Sequence, residues 1–126
     1  MKQAIEIFLE IKQEVGSNND LGSKLRTRAR EIPEFMESMG LIPALSLCYA
    51  KKRDGVEARS YELFLKAVLR YLKELGFLSK DVDKALNEPA ETLNELYPKA
   101  TTAIPFLRPF LIEFKRLCEA EWKAST

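Results

Sequence analysis

Apolar residues recur along this chain at the three- and four-residue spacing of helices, and no stretch shows strand-like alternation. In KQAIEIFLEIKQEV, Ala4, Phe8, Ile11 and Val15 line one face, Ile5 and Ile7 flank it, and glutamates lie opposite. GSNNDLGS (16–23), rich in capping and turn residues, ends that helix. A second helix is predicted from about Ser23, as its N-cap, to Met39, with Leu25, Ile32, Phe35, Met36 and Met39 on its apolar face and Gly40 as its stop. Pro33 falls in mid-pattern, where it removes a backbone donor and predicts a kink. LIPALSLCYAKK (41–52) is apolar nearly all round, which predicts a central, buried helix; the polar RDGVEA (53–58) reads as a loop. RSYELFLKAVLRYLKEL (59–75) carries Tyr61, Phe64, Leu65, Val68, Leu72 and Leu75 on one stripe and stops at Gly76. A short helix is expected near residues 80–86 with Ser79 as cap, and another from about Glu88 to Pro98. A last helix covers roughly 102–123 and either kinks at Pro109 or begins there.

The pattern predicts an all-α protein, a compact single-domain bundle of about six or seven helices over residues 1–126. Composition narrows this only a little. At 46% apolar and 31% charged residues the chain has the balance of a soluble globular domain and not of a disordered one. Absence of any long uncharged apolar run argues against a membrane span. Acids at Glu6, Glu10 and Glu14 argue against a secretory or transit leader, so the expected compartment is the cytoplasm.

Candidate chemistry is sparse. The chain has no histidine, which removes Ser–His and Cys–His nucleophilic pairs, the usual general base and every His-containing zinc site. Cys48 and Cys118 lack CxxC spacing and read as buried thiols, with a disulfide between them left open. No glycine-rich phosphate loop occurs. Asp81, Asp83 and Glu88 read as a solvated helix start, and not as magnesium ligands, because carboxylates favour the positive end of a helix dipole. Glu91 and Glu95 read as an exposed acid pair, and Trp122 and Tyr49 as packing residues. Neither a metal, a cofactor nor a small-molecule substrate is expected, and the chain reads as non-enzymatic.

Charge changes the picture more. Net charge is +1, yet residues 23–53 hold seven bases against three acids. Four of those bases, Lys24, Arg26, Arg28 and Arg30, fall within seven positions. Arg26 and Arg30 lie one turn apart on the face away from Leu25 and Ile32; Lys24 and Arg28 lie at the edge of the apolar stripe. Like charges four residues apart repel by a few tenths of a kcal/mol, roughly, and the nearby helix N-terminus disfavours cations too. Stability alone would not select them, which points to a polyanion. Glu31, Glu34 and Glu37 offer the plainer alternative of surface ion pairs. Lys51, Lys52 and Arg53 suit the negative end of their own helix.

The same segment resembles a known family. An Arg-rich helix followed by EIPEFMESMGLIPALSLCYAK is similar to the "basic–x–LP–…–GL–xx–AL–…–K" signature of the Cmr small-subunit family, the small helical subunits of the type III-B CRISPR RNA-silencing effector. The matching positions are Ile32-Pro33, Gly40-Leu41, Ala44-Leu45 and the lysine at Lys51 or Lys52, with Ile32 in place of the more usual leucine. The resemblance implies a protein without an active site, stacked in several copies beside the larger backbone subunits. It also implies a basic face, Lys24, Arg26, Arg28 and Arg30 with Lys51 or Lys52 second, turned to target RNA paired with the guide. Two other classes stay open. One is a helical protein–protein adaptor with no nucleic-acid contact; the other, a metal-dependent nuclease, needs acids from distant helices to converge.

Overall fold

The computed structural model describes residues 2–51 and 55–124. Helix α1 spans Lys2–Val15, α2 Asn19–Met39, α3 Leu41–Lys51, α4 Val56–Glu74, α5 Val82–Asn87 and α6 Pro89–Leu96; a 3-10 turn at Tyr97–Lys99 leads into α7, Ala100–Glu121. No strand occurs among the described residues. The all-α expectation holds.

Burial places α4 at the centre. It buries Leu63, Phe64, Leu65, Ala67, Val68, Leu69, Tyr71 and Leu72 and touches α1, α2, α3, α5 and α7. The expectation that α3 would be the central element is therefore corrected. Only Leu41, Ala44, Leu45 and Cys48 of α3 are buried, and Pro43, Ser46 and Ala50 face outward. An apolar surround shows that a helix has neighbours on several sides; it does not show that the helix lies at the centre. Here Ile42, Leu47 and Tyr49 are half-buried, and the Tyr49 hydroxyl donates 2.6 Å to the carbonyl of Ala85.

Aromatic rings knit the core. Phe8 meets Phe114 edge-on at 5.7 Å, Phe64 meets Phe114 at 6.2 Å, and Tyr71 stacks on Phe110 at 4.4 Å. Trp122 is buried beside Phe8, as its packing role required. Its indole lies so close to Gly22 that a Cβ there would sit 2.2 Å from the ring. A glycine allows this approach and no other residue does.

Several boundaries differ from the sequence reading. Helix α4 begins at Val56, so residues 56–58 of the expected 53–58 loop belong to the helix. Helix α2 starts at Asn19, because the Asn18 side chain accepts the Leu21 N–H at 3.0 Å and caps the helix five residues before Ser23. Asp81, not Ser79, stands at the start of α5; the Ser79 N–H instead donates 2.8 Å to Glu95. Glu95 is accordingly not a free member of an exposed pair. Burial alone would raise its pKa, yet the Ser79 hydrogen bonds and the charges of Lys99 and Lys80 hold it below the usual carboxylate value. Finally, α2 runs through Pro33, and α7 runs through both Pro105 and Pro109. Packing along the core-facing side outweighs the missing backbone bonds, so α7 is one helix beginning before Pro105.

Candidate nucleic-acid interface

Helix α2 carries the four clustered cations, and its angular spacing decides where each goes. Positions two apart are turned by about 200° from one another. Lys24 and Arg28 therefore leave one flank, towards α3 and α4, while Arg26 and Arg30 leave the other, towards α7. They do not form one stripe.

On the first flank Arg28 is only 6% exposed. Its guanidinium stacks 4.4 Å from the centroid of the Tyr61 ring, and its Nη atoms reach Glu31 at 3.2 Å and Glu57 at 3.4 Å. Its Nε is buried and, among the described residues, has no hydrogen-bond partner. Lys24 sits 3.6 Å from the other oxygen of Glu57. Lys51, from the end of α3, is exposed and lies 5.9 Å from the same Tyr61 ring. Three cations thus converge where α2, the end of α3 and the start of α4 meet, and two of them, Lys24 and Arg28, engage the acids Glu57 and Glu31. Lys52, the sixth expected site residue, lies outside the described residues.

On the second flank Arg26 is engaged by the backbone. Its Nη1 donates to the carbonyls of Trp122 at 2.9 Å and Glu119 at 3.3 Å, capping the C-terminal end of α7. Arg30, one turn on, is exposed, and among the described residues it has no hydrogen-bond or ion-pair partner. The structure thus brings Lys24, Arg28 and Lys51 together and separates Arg26 and Arg30 from them.

Sequence reasoning missed the α7 side of this second flank. Arg30 borders a groove of about 280 Å³ between α2 and α7, lined also by Ala29, Pro33, Leu111, Ile112 and Lys115. At its far end Arg108 donates from Nε and Nη2 to the two oxygens of Glu37, at 2.6 and 3.0 Å. That hydrogen bond, with the guanidinium charge, holds the Glu37 carboxyl below its usual pKa despite slight desolvation. Nothing in residues 100–121 taken alone shows that their bases face Arg30, because the pairing of α2 with α7 joins segments more than seventy residues apart.

Among the described residues no group of three or more Cys, Asp or Glu side chains could hold a metal ion, and Asp81, Asp83 and Glu88 do not converge on one. Cys48 and Cys118 are both buried and free. Burial pushes the Cys48 thiol up to about 12, against a smaller opposing effect of the Arg28 charge, and pushes Cys118 up as well. Neither thiol is a poised nucleophile. No described helix is long and apolar enough to cross a membrane.

No protein-family model matches the chain. Among curated proteins it is 26% identical over 123 residues to the CRISPR system CMR subunit Cmr5 of Saccharolobus solfataricus, a match covering 77% of this chain and 78% of that protein. Among solved structures it superposes at a TM-score of 0.86, with 23% identity, on a chain of a type III-B Cmr-beta complex bound to non-cognate target RNA. That superposition covers 98% of this chain and 96% of the other. A second, at 0.83 and 22% identity, is with a chain of the Cmr-beta complex bound to cognate target RNA and AMPPnP, covering 98% and 99%. The resemblance to the Cmr small-subunit family holds.

Each part of the Cmr signature has a structural task here. Ile32 is buried on the core face of α2, and Pro33 borders the α2–α7 groove. Gly40 adopts a φ of +97°, closed to most side chains, and its N–H donates 2.7 Å to the Met36 carbonyl as α2 turns into α3. Ala44 and Leu45 are fully buried in the core. Lys51 ends α3 at the basic corner. Most of these matching positions specify the corner between two helices, and of them only the lysine offers charge to solvent, as Arg30 does in the basic helix before them.

Proposed function

We propose that this protein is a non-catalytic structural subunit of a type III-B Cmr effector, stacking in a filament beside the backbone subunits and holding target RNA along the guide. The observation carrying this reading is the fold likeness over 98% of the chain to chains of Cmr complexes bound to target RNA. In guide-directed complexes base pairing reads sequence, and the protein reads backbone and shape. A few cations per copy then suffice, because adjacent copies act together on one strand.

The RNA-facing residues proposed are those of the basic corner. Lys51 is free to meet phosphate, Lys24 is held by a single long contact to Glu57, and Lys52 follows Lys51 in the chain. Arg28 supports them: it neutralises Glu57 and Glu31, which would otherwise repel phosphate, and presses its stem and guanidinium on Tyr61. Arg26 takes part by bracing α7, and Arg30 belongs to the opposite flank.

The test is retention of a labelled target RNA by the assembled complex across a salt series. Lys24→Ala with Lys51→Ala should weaken retention several-fold and flatten the log–log salt slope by roughly 0.7–0.9 for each phosphate that is no longer neutralised. Unchanged slope and affinity would overturn the corner assignment. A second reading, a helical adaptor that touches no nucleic acid, draws support from the internal engagement of Arg26 and Arg28. It predicts assembly into the complex with no effect of these variants on RNA.

A further inference from the structure

The α2–α7 groove asks for an occupant. Its floor is aliphatic: Ala29, Pro33, Leu111 and Ile112, with Ile112 51% exposed. At one end Arg30 and Lys115 stand without a hydrogen-bond or ion-pair partner among the described residues. At the other, Arg108 is occupied by both oxygens of Glu37. Several cations elsewhere on the molecule are engaged by carboxylates: Arg59 and Lys66 by Glu14, Arg70 by Glu10, and Lys12 by Glu121. Two unengaged cations beside an exposed isoleucine mark a different kind of surface.

We infer that this groove seats a segment of another protein subunit of the effector, one that presents an aliphatic side chain within a helical turn of a carboxylate. The inference rests on membership of the effector proposed above. The aliphatic side chain covers Ile112 and Leu111, and the carboxylate is received by Arg30 and Lys115. Charge complementarity selects the acid, and the apolar floor selects protein. RNA suits the groove poorly. Bases stack on aromatic rings, and none lines it. Its volume, about 280 Å³, lies at the lower limit of small-molecule sites and matches side chains entering from a partner's surface.

The experiment reconstitutes the effector from purified subunits and guide RNA, without target RNA, using the full-length protein. Ile112→Cys labelled with a benzophenone maleimide reports what lies in the groove; the buried thiols of Cys48 and Cys118 do not compete for the reagent. The expected crosslink is to a different protein subunit, at a segment with an aliphatic residue near Asp or Glu. Arg30→Glu with Lys115→Glu should lower incorporation by about tenfold or more, while Lys84→Glu on the exposed side of α5 leaves it unchanged. Crosslinking only to RNA, only to a second copy or to nothing overturns the inference, as does undiminished incorporation of the double variant. Failure of the wild-type protein to incorporate overturns the membership reading and this one together; the other results overturn the groove alone.

Discussion

Arg28 shows how far a side chain's role depends on what it touches. Its stem and guanidinium cover Tyr61, and both of its charged partners, Glu31 and Glu57, are themselves more than half exposed. Water therefore stabilises the carboxylates left behind when the arginine is removed, and the missing packing dominates the cost. Arg28→Ala should lower unfolding free energy by about 1–3 kcal/mol in urea denaturation, and Arg28→Met should recover most of it. At Gly22 two effects compete. Alanine gains about 1 kcal/mol in a helix interior, but its Cβ would meet the Trp122 indole at 2.2–2.4 Å, and overpacking of that kind costs about 1–3 kcal/mol. Gly22→Ala should accordingly lower the urea midpoint, and a raised midpoint would show that the indole moves aside freely. The thiols give a pH prediction. The folded pKa of Cys48 is raised from 9.0 to about 12, so the native state holds its proton more firmly than the unfolded chain. That stability is complete below about pH 9 and is lost as pH rises towards 12. A thiol-specific reagent should react with neither cysteine at neutral pH until urea unfolds the protein.

At the scale of elements, the end of α7 is held by contacts its own sequence does not announce. Arg26 donates to the carbonyls of Glu119 and Trp122, Lys12 pairs with Glu121 at 2.7 Å, and Trp122 covers Gly22. Arg26→Ala removes a cationic cap from the negative end of the helix, worth about 0.3–1 kcal/mol at an exposed site. Amide exchange should speed up over residues 118–122 and stay unchanged in α4; equal protection in wild type and variant would show that Lys12 and Trp122 suffice. Periodicity made the helices themselves legible, and Asn18 outcompeted Ser23 as cap only because Leu21 and Gly22, between the two, already belong to the buried face of α2. The central position of α4 was not legible from hydrophobic content, since α3 is the more apolar of the two.

For the whole molecule, charge is mostly spent internally. The α1–α4 seam is closed by Glu10 to Arg70 and Glu14 to Arg59 and Lys66, at the surface, where each such pair contributes about 0–1 kcal/mol. Salt should therefore separate two properties. Raising it from about 0.05 to 0.5 M, across which screening tightens from beyond 10 Å to a few Å, should barely move the thermal midpoint while RNA retention by the complex falls steeply. A parallel fall in both would place the cations in the core's stability and not in binding. The purified protein should leave RNA intact with or without divalent cations, and divalent-dependent cleavage would revive the nuclease alternative.

Taken by itself, the order of apolar and polar positions determined that this chain is helical, where its helices lie to within about a turn and a half, and which faces turn inward. These follow from interactions within a few residues, and the chain carries them wherever it goes. The concentration of bases on α2 was equally plain, and so was the Cmr-like signature beside it. Which cations reach solvent was decided only by tertiary structure. Lys24 and Arg28 meet Glu57 and Tyr61 of α4, and Arg26 meets carbonyls at the far end of α7, because helices distant in the chain pack on opposite flanks of α2. The groove shared by Arg30 and Lys115 exists for the same reason. A side chain's charge is written in its residue type, but its availability depends on neighbours that folding brings from elsewhere.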